Sequence, residues 1–359
     1  MPLPRLRTVA AVAGAALLTR RALRRRIARS PLWPLPALDE PISGHARQRR
    51  STAGRRLLIT ARTAPADGVV QLRLEGPDLP VWEPGAHLDL VLPSGLVRQY
   101  SLCGDPADTG AYTVAVRLVE DGRGGSREVH TALREGLEIE VHGPRNRFPL
   151  AGAPAHLLVA GGIGITPVLP MVRALAAAGA DWRLVYGGRS RATMPFLDEL
   201  ERLDAGGGRV TVVPQDESGH PDLKAALADA AEGTAVHCCG PESLMEAVAA
   251  ALPPGCTLHL ERFSARGGDA ADQSPFEVEL RRTGRTVPVA AGQSVLSAVR
   301  AEVPYVAYSC EQGFCGTCQQ RVLEGEVDHR DELLNDEERR ASMLICVSRC
   351  RGERLVLDL

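Results

Sequence analysis

The chain has 359 residues, 44% apolar and 24% charged, with a net charge of −2; that length sets an expectation of two or three domains with ample cores. The small net charge conceals an asymmetry. Residues 1–56 carry thirteen Arg against Asp39 and Glu40, a net of +11, which leaves 29 basic and 42 acidic residues, a net of −13, for the rest. An acidic body argues against nucleic acid as the partner of the folded part, because phosphates would be repelled, and suits docking to a basic protein face.

The N-terminal stretch is basic with an apolar insert. Thr8 to Leu18 is apolar, but eleven residues are too few to span a bilayer. Arg20, Arg21, Arg24, Arg25, Arg26 and Arg29 follow with no small-residue cleavage site between, so a signal peptide is disfavoured. Two readings of residues 5–29 stand: a basic helix resting on anionic lipid at the inner membrane face, and an accessory helix or arm of a cytoplasmic protein. The second is preferred. Pro, Ser and Gly mark residues 30–54 as linker, so 1–54 reads as an extension.

From 55 to 150, short alternating apolar runs (LLITARTA, VVQLRLEG, HLDLVLPSG, YTVAVRLVE, LEIEVHG) are broken by Gly and Pro, the rhythm of a small antiparallel barrel. Inside it stand Arg98-Gln-Tyr100-Ser101 and, further on, Gly122-Arg-Gly-Gly125-Ser126 opening a helix-like stretch. Glycines at a helix start expose N–H groups at a positive dipole end, a ready phosphate cradle. These residues resemble the R-x-Y-[ST] and G-x-G-G-S elements of the flavin domain of the ferredoxin reductase superfamily. The resemblance implies that Arg98 pairs with the flavin phosphate, with Gly125 and Ser126 beside it and Arg117 as a further contact. It also places Tyr100 against the isoalloxazine and the Ser101 hydroxyl near N5. Pro144-x-Asn146-x-Phe148-Pro149 closes the barrel in the family's manner.

Residues 151–265 alternate strand-like and helix-like runs, the pattern of a doubly wound α/β domain. The first strand runs into Gly161-Gly162-Ile-Gly164-Ile-Thr166-Pro167, where glycines allow a pyrophosphate to approach the backbone at a helix N-terminus. This differs from the common G-x-G-x-x-G fingerprint and resembles the G-G-x-G-[IV]-[AT]-P of ferredoxin-reductase-type nicotinamide domains. Cys239-Gly240-Pro241 is similar to that family's C-G-P, with Cys239 near the nicotinamide, and Glu261-Arg-Phe263 stands where the family places groups close to the flavin. Arg189 and Arg191 would suit a 2′-phosphate, but no Ser-plus-aromatic pocket accompanies them, so NADH is the expected donor.

After a Gly/Asp/Ala linker at 266–274, residues 275–359 contain Cys310, Cys315, Cys318 and Cys346, the C-x4-C-x2-C…C spacing of a plant-type [2Fe–2S] site. Soft thiolates suit iron and sulfide. A structural zinc site is the alternative, but no second knuckle follows. The remaining cysteines (Cys103, Cys238, Cys239, Cys256, Cys350) have no disulfide-framework spacing, which favours a reducing, intracellular compartment. Cys346 rather than Cys350 stands in the family's register.

The order flavin, nicotinamide, ferredoxin resembles the phthalate dioxygenase reductase and vanillate demethylase reductase family over about residues 50–359. The resemblance implies a multidomain fold: an antiparallel β-barrel flavin domain (55–150), an α/β nicotinamide domain (151–265) and an α+β, β-grasp ferredoxin domain (275–359). It implies FMN rather than FAD, since no segment suits an adenine half. Electrons would pass from NADH to FMN to [2Fe–2S] and then to an oxygenase component of the Rieske type. A haem oxygenase as acceptor, a redox-sensing module and a membrane-attached subunit are the competing readings.

Overall fold

Alternation of buried and exposed positions makes the strands of the first sheet one-sided, as in Leu57 and Ile59 on β1 or Leu72 and Leu74 on β2. The structure, a computed structural model, describes residues 54–263 apart from 121 and 123, and 274–359 apart from 309, 310, 314, 315 and 332. The N-terminal helix expectation, most of the linker, Cys310 and Cys315 lie outside the described residues.

Six antiparallel strands, β1 (Arg55–Ala66), β2 (Val69–Glu75), β3 (Ala86–Val91), β4 (Val97–Ser101), β5 (Ala111–Arg117) and β6 (Glu138–Asn146), pair in the order β4-β3-β6-β1-β2-β5. The two edges meet where Leu102 bridges Val114 and the Cys103 N–H donates to Thr113 O at 2.9 Å. The expected barrel is thereby closed around Leu72, Leu88, Leu90 and Val114. Helix α1 (Gly125–Ala132) crosses between β5 and β6 and buries Val129. At the barrel's end Gly85 has φ +92, and a Cβ there would lie 1.7 Å from Phe148 O. Asn146 fixes that approach, donating to Pro84 O at 2.9 Å and accepting from the Phe148 N–H at 3.0 Å.

The second sheet is parallel: β7 (Ala155–Gly161), β8 (Asp181–Gly188), β9 (Val210–Pro214), β10 (Ala235–Cys239) and β11 (Thr257–Glu261), ordered β11-β10-β7-β8-β9. Its strands are buried on both faces, under α2 (Ile165–Ala177), α3 (Leu197–Asp204), α4 (Gln215–Ser218), α5 (Leu223–Ala228) and α6 (Glu242–Ala251). Strand order reverses between β7 and β10, so a crevice opens at their carboxyl ends, where open α/β sheets bind ligands.

Barrel and parallel sheet are joined at three points. Arg173 on α2 donates to Cys103 O at 2.7 Å while pairing with Glu199 at 2.6 Å. The Asp67 N–H donates to Ala192 O at 2.8 Å. Ile163, in the glycine loop after β7, packs against Val69, Cys103 and Ala115 of the barrel. The loop is thus seated on the barrel itself.

The C-terminal part is a β-grasp: β12 (Phe276–Leu280), β13 (Arg285–Val289), α7 (Val295–Glu302), β14 (Gln319–Glu324), β15 (Val327–Asp328), α8 (Asp336–Arg339), β16 (Ser342–Leu344), β17 (Arg349–Cys350) and β18 (Arg354–Leu357). The main sheet runs β13-β12-β18-β14-β16, with β12 parallel to β18. Ser294 caps α7 by accepting from the Ser297 N–H at 3.1 Å, and the helix buries Val295, Leu296, Ala298 and Val299 against the sheet. Among the described residues, no helix is long and apolar enough to cross a membrane.

Candidate active site

The barrel brings Arg98 and the start of α1 into contact. A Cβ on Gly125 would fall 2.6 Å from Arg98 Cγ and 2.7 Å from its Nε, so only glycine admits the guanidinium stem there. Gly124 precedes the helix in the left-handed region, φ +81, and turns the first-turn N–H groups outward. A guanidinium beside free amides at a helix N-terminus is a cradle that fits a phosphate. The Ser126 hydroxyl is engaged locally, accepting from the Val119 N–H at 3.0 Å, and so holds the loop that leads into the cradle.

Two residues along β4, Tyr100 lies half-buried against the barrel core, and burial pushes its phenol well above the ordinary range. Ser101 pairs with His87 across β3 and β4 and is buried. Its hydroxyl donates to Glu261 Oε2 at 3.2 Å, crossing from barrel to parallel sheet. Desolvation pushes the Glu261 carboxyl up from 4.5 to about 8, with the Ser101 hydrogen bond acting against it. Cys239 sits opposite Glu261 on the adjacent strand. Burial first, then Glu261 and Cys238, hold its sulfur well above the ordinary thiol range. It is therefore a small protonated residue at the strand end and no thiolate nucleophile.

Ser101 and Glu261 line a cavity of about 120 Å³ together with His87, Gln99, Phe263 and Gln312. Gln312 belongs to the cysteine loop of the β-grasp part, so all three parts of the chain reach this one cavity. Sequence reasoning did not find Gln312, because nothing in a loop glutamine signals what it faces.

The crevice at the switch point is a cleft of about 550 Å³ lined by Gly161, Gly162, Pro241 and Gly188, among others. Its floor is two loops in close approach. A Cβ on Gly164 would lie 2.2 Å from Cys239 O, and one on Gly240 would lie 3.0 Å from Gly161 Cα. The glycines thus serve loop-against-loop packing as well as ligand approach. Thr166 is buried and its hydroxyl donates to Ile163 O at 2.9 Å, closing the turn, with Pro167 in the first turn of α2. Tyr186, for which the sequence alone offers no role, donates to Gly162 O at 3.2 Å and steadies the same loop. Arg191 is held by Glu217 at 3.0 and 3.1 Å, whereas Arg189 and, unexpectedly, Arg117 line the cleft.

In the β-grasp part Cys318 and Cys346 are both buried in one core. The β14–β16 register sets Gln319 opposite Leu344, and the Ile345 N–H points to Cys318 O at 3.4 Å, which draws the two cysteines together. The Leu296 N–H, at the start of α7, donates to Ile345 O at 2.7 Å and holds the segment before Cys346. Gly313 and Gly316 take left-handed φ of +78 and +73, and a Cβ on Gly313 would meet Val347 at 2.8 Å. Gly313 is thereby packed closely onto the segment that carries Cys346. Cys350 is occupied in a turn, its Sγ accepting from the Gly352 N–H at 3.2 Å.

A phosphate cradle on a closed barrel, a glycine-floored crevice on a parallel sheet and buried thiols in a β-grasp define an iron–sulfur flavoprotein reductase. Residues 278–351 match the 2Fe-2S iron-sulfur cluster binding domain, and residues 147–254 match the N-terminal domain of dimethylamine monooxygenase subunit DmmA-like proteins. The chain is 43% identical over 314 residues to phenoxybenzoate dioxygenase subunit beta of Ectopseudomonas oleovorans, spanning 84% of this chain and 97% of that protein. It is 39% identical over 293 residues to phthalate dioxygenase reductase of Burkholderia cepacia, spanning 79% and 90%. The chain belongs to the phthalate dioxygenase reductase family: an oxidoreductase with FMN and a [2Fe–2S] cluster that uses NADH.

The solved structure of phthalate dioxygenase reductase superposes with a TM-score of 0.68 at 37% identity, over 87% of this chain and 99% of that one. An intact type IV self-sufficient cytochrome P450 monooxygenase superposes with a TM-score of 0.71 at 41% identity over 92% of this chain. This chain spans 45% of that structure's length.

Proposed function

We propose that the chain is the reductase component of a Rieske-type oxygenase, taking electrons from NADH and delivering them singly to the oxygenase. The observation that carries this reading is the shared cavity, where Ser101 of the barrel, Glu261 of the nicotinamide sheet and Gln312 of the cysteine loop meet. When bound, the flavin supplies the exchange between a two-electron donor and the one-electron cluster. The chain's own residues position the partners. Arg98 and the first-turn amides of α1 would hold the FMN phosphate, Tyr100 the ring face, and Ser101 the N5 edge. The Gly162–Pro167 turn and Cys239–Pro241 would present NADH to that edge, with Glu261 and Phe263 closing the site and excluding water. Cys310, Cys315, Cys318 and Cys346 would hold the cluster. Geometry does most of the catalysis, and no separate general base is needed.

The support for domain boundaries near residue 150 and within 266–274 is the separation of the three sheets along the chain. A cytochrome P450 as acceptor is the second reading, favoured by the 41% identity to the self-sufficient P450 structure. Purified protein offered each class of acceptor in turn decides between them: reduction of a Rieske oxygenase but not of a P450 supports the first reading, and the reverse overturns it. The excess of eleven positive charges over residues 1–56 suits an anionic surface. Deletion of residues 1–50 tests that, and an unchanged distribution between membrane and soluble fractions would reject it.

A further inference from the structure

We propose that Asp331 is a positioning residue for the iron–sulfur cluster: its carboxylate clamps the turn behind the cysteine loop to the turn that carries Cys346, and its buried negative charge holds the cluster's reduction potential down. This rests on the reading of Cys310, Cys315, Cys318 and Cys346 as the ligands and adds a residue outside that set.

Asp331 stands between β15 and α8, and its side chain is wholly buried. One carboxylate oxygen, Oδ2, accepts from the Leu333 N–H at 3.2 Å and from the Leu334 N–H at 2.8 Å, which closes a turn over residues 331–334. That turn backs the cysteine loop at two points. A Cβ built on Gly313 would meet Asp331 Cα at 3.2 Å, and one on Gly316 would meet Leu333 Cδ2 at 2.7 Å. These glycines stand on either side of Cys315 in the sequence. The other oxygen, Oδ1, accepts from the Ser348 hydroxyl at 3.3 Å. Ser348 is buried, and its N–H donates to Leu344 O at 3.0 Å, closing the turn that contains Cys346. One carboxylate thereby ties together the surroundings of two ligands that are far apart in sequence.

The charge itself is only loosely matched. His329 Nδ1 lies 3.5 Å from Oδ1, and a terminal nitrogen of Arg339 lies 3.8 Å from Oδ2 while donating to the Asp331 backbone O at 2.7 Å. Arg330 is turned to Asp328 at 2.5 Å. A buried carboxylate held by neutral donors keeps most of its field. An electron arriving at the cluster adds negative charge, so a fixed negative charge behind the loop opposes it. Within about 10 Å, at an effective dielectric near 20, one unit charge is worth roughly tenfold in an equilibrium. A cluster held low in potential is the stronger donor to the partner that follows.

The test uses the full chain and its Asp331→Asn, Ser348→Ala and Arg339→Gln variants. Each is titrated electrochemically, with the paramagnetic signal of the reduced cluster as readout and iron counted per chain. Asn keeps the size and an acceptor for the Leu333 and Leu334 N–H groups but not the charge. Asp331→Asn should shift the equilibrium about tenfold towards the reduced cluster, which for one electron is a rise of about 59 mV. Ser348→Ala keeps the charge and loses one clamp, so it should lose iron faster on heating at a potential close to that of wild type. Arg339→Gln removes a permanent cation beside Asp331 and should lower the potential. A wild-type potential in Asp331→Asn, or an equal rise in Ser348→Ala, overturns the inference, because loop disturbance would then replace charge as the cause. Should Asp331→Asn hold no iron, Arg339→Gln bears the test, and an unchanged potential there overturns it. Cys346→Ala, run alongside, separates the premise. Full iron content in that variant would strike at the ligand reading, whereas lost iron there with an unmoved Asp331→Asn potential strikes at Asp331 alone.

Discussion

The Ser101 hydroxyl donates to Glu261 Oε2 at 3.2 Å, tying the fourth strand of the flavin barrel to the last strand of the nicotinamide sheet. The bond spans 160 residues of sequence and lies in the cavity that the cysteine loop also reaches through Gln312. It positions the hydroxyl that the proposed flavin site uses at N5. Ser101→Ala should therefore slow NADH-dependent ferricyanide reduction by about tenfold or more, the equivalent of one lost hydrogen bond. Steady-state assays at saturating NADH, with FMN content checked, measure this; an unchanged rate would remove Ser101 from the site.

The raised carboxyl of Glu261 makes a pH-dependent contribution to stability. The folded protein keeps this proton up to about pH 8, whereas the unfolded chain releases it near 4.5. Between those values folding takes up a proton, so this group's stabilisation is full below 4.5 and is lost as pH rises through about 8. Glu261→Gln should melt at least about 2 °C above wild type near pH 8, with the gap shrinking towards pH 5. Thermal melts across that range test it. A gap independent of pH would contradict the desolvated carboxyl.

His237 behaves oppositely. It is fully buried, accepts from the Ala151 N–H at 3.2 Å and stacks on His259 with ring centroids 4.7 Å apart. Burial, and then His259, hold its imidazole down at about 4 from an ordinary 6.5. Stability from the neutral ring is present above 6.5 and is lost as pH falls towards 4. Wild type should lose more stability between pH 6.5 and 5 than His237→Gln does. Parallel acid melts of the two proteins would count against this.

Gly164 is the tightest point of the two-loop floor, with a hypothetical Cβ 2.2 Å from Cys239 O. Gly164→Ala must push the loops apart, at a cost of about 1–3 kcal/mol. Weaker NADH binding should accompany a lower melting temperature, with iron content unchanged because the β-grasp core is separate. Wild-type KM for NADH in this variant would show that the loops are not the dinucleotide floor.

Much of this was legible in the sequence because the chemistry is local. Arg98–Ser101, Gly161–Pro167 and Cys239–Pro241 are short runs whose backbone demands are met by their own residues; the first makes up most of β4, and the other two begin at the ends of β7 and β10. What was not legible depends on contacts between distant segments. Arg117, expected beside the flavin phosphate, stands at the end of β5 and also lines the cleft at the switch point, a placement that only the fold reveals. The sequence carries no signal for the roles of Tyr186 and Arg173, and only the fold shows one holding Gly162 and the other stapling α2 to the barrel at Cys103. Their partners lie 24 and 70 residues away, beyond any periodicity.

Cys346 rather than Cys350 is the expected fourth cluster ligand. Cys346 lies in the core with Cys318, whereas the Cys350 sulfur is taken up by its own turn. Cys346→Ala should lose the iron and its visible bands, keep FMN and ferricyanide reduction, and lose cytochrome c reduction. Cys350→Ala should keep all of these. Iron loss from the second variant rather than the first would exchange the two assignments.

The central claim is that one polypeptide conducts electrons from NADH through its flavin site to its cysteine cage. Anaerobic titration of the full-length protein with NADH, followed by visible absorbance and low-temperature electron paramagnetic resonance, addresses it directly. The account predicts that flavin and iron–sulfur bands bleach together and that a reduced [2Fe–2S] signal grows with each addition. A flavin that NADH reduces while the cluster stays oxidised would contradict it.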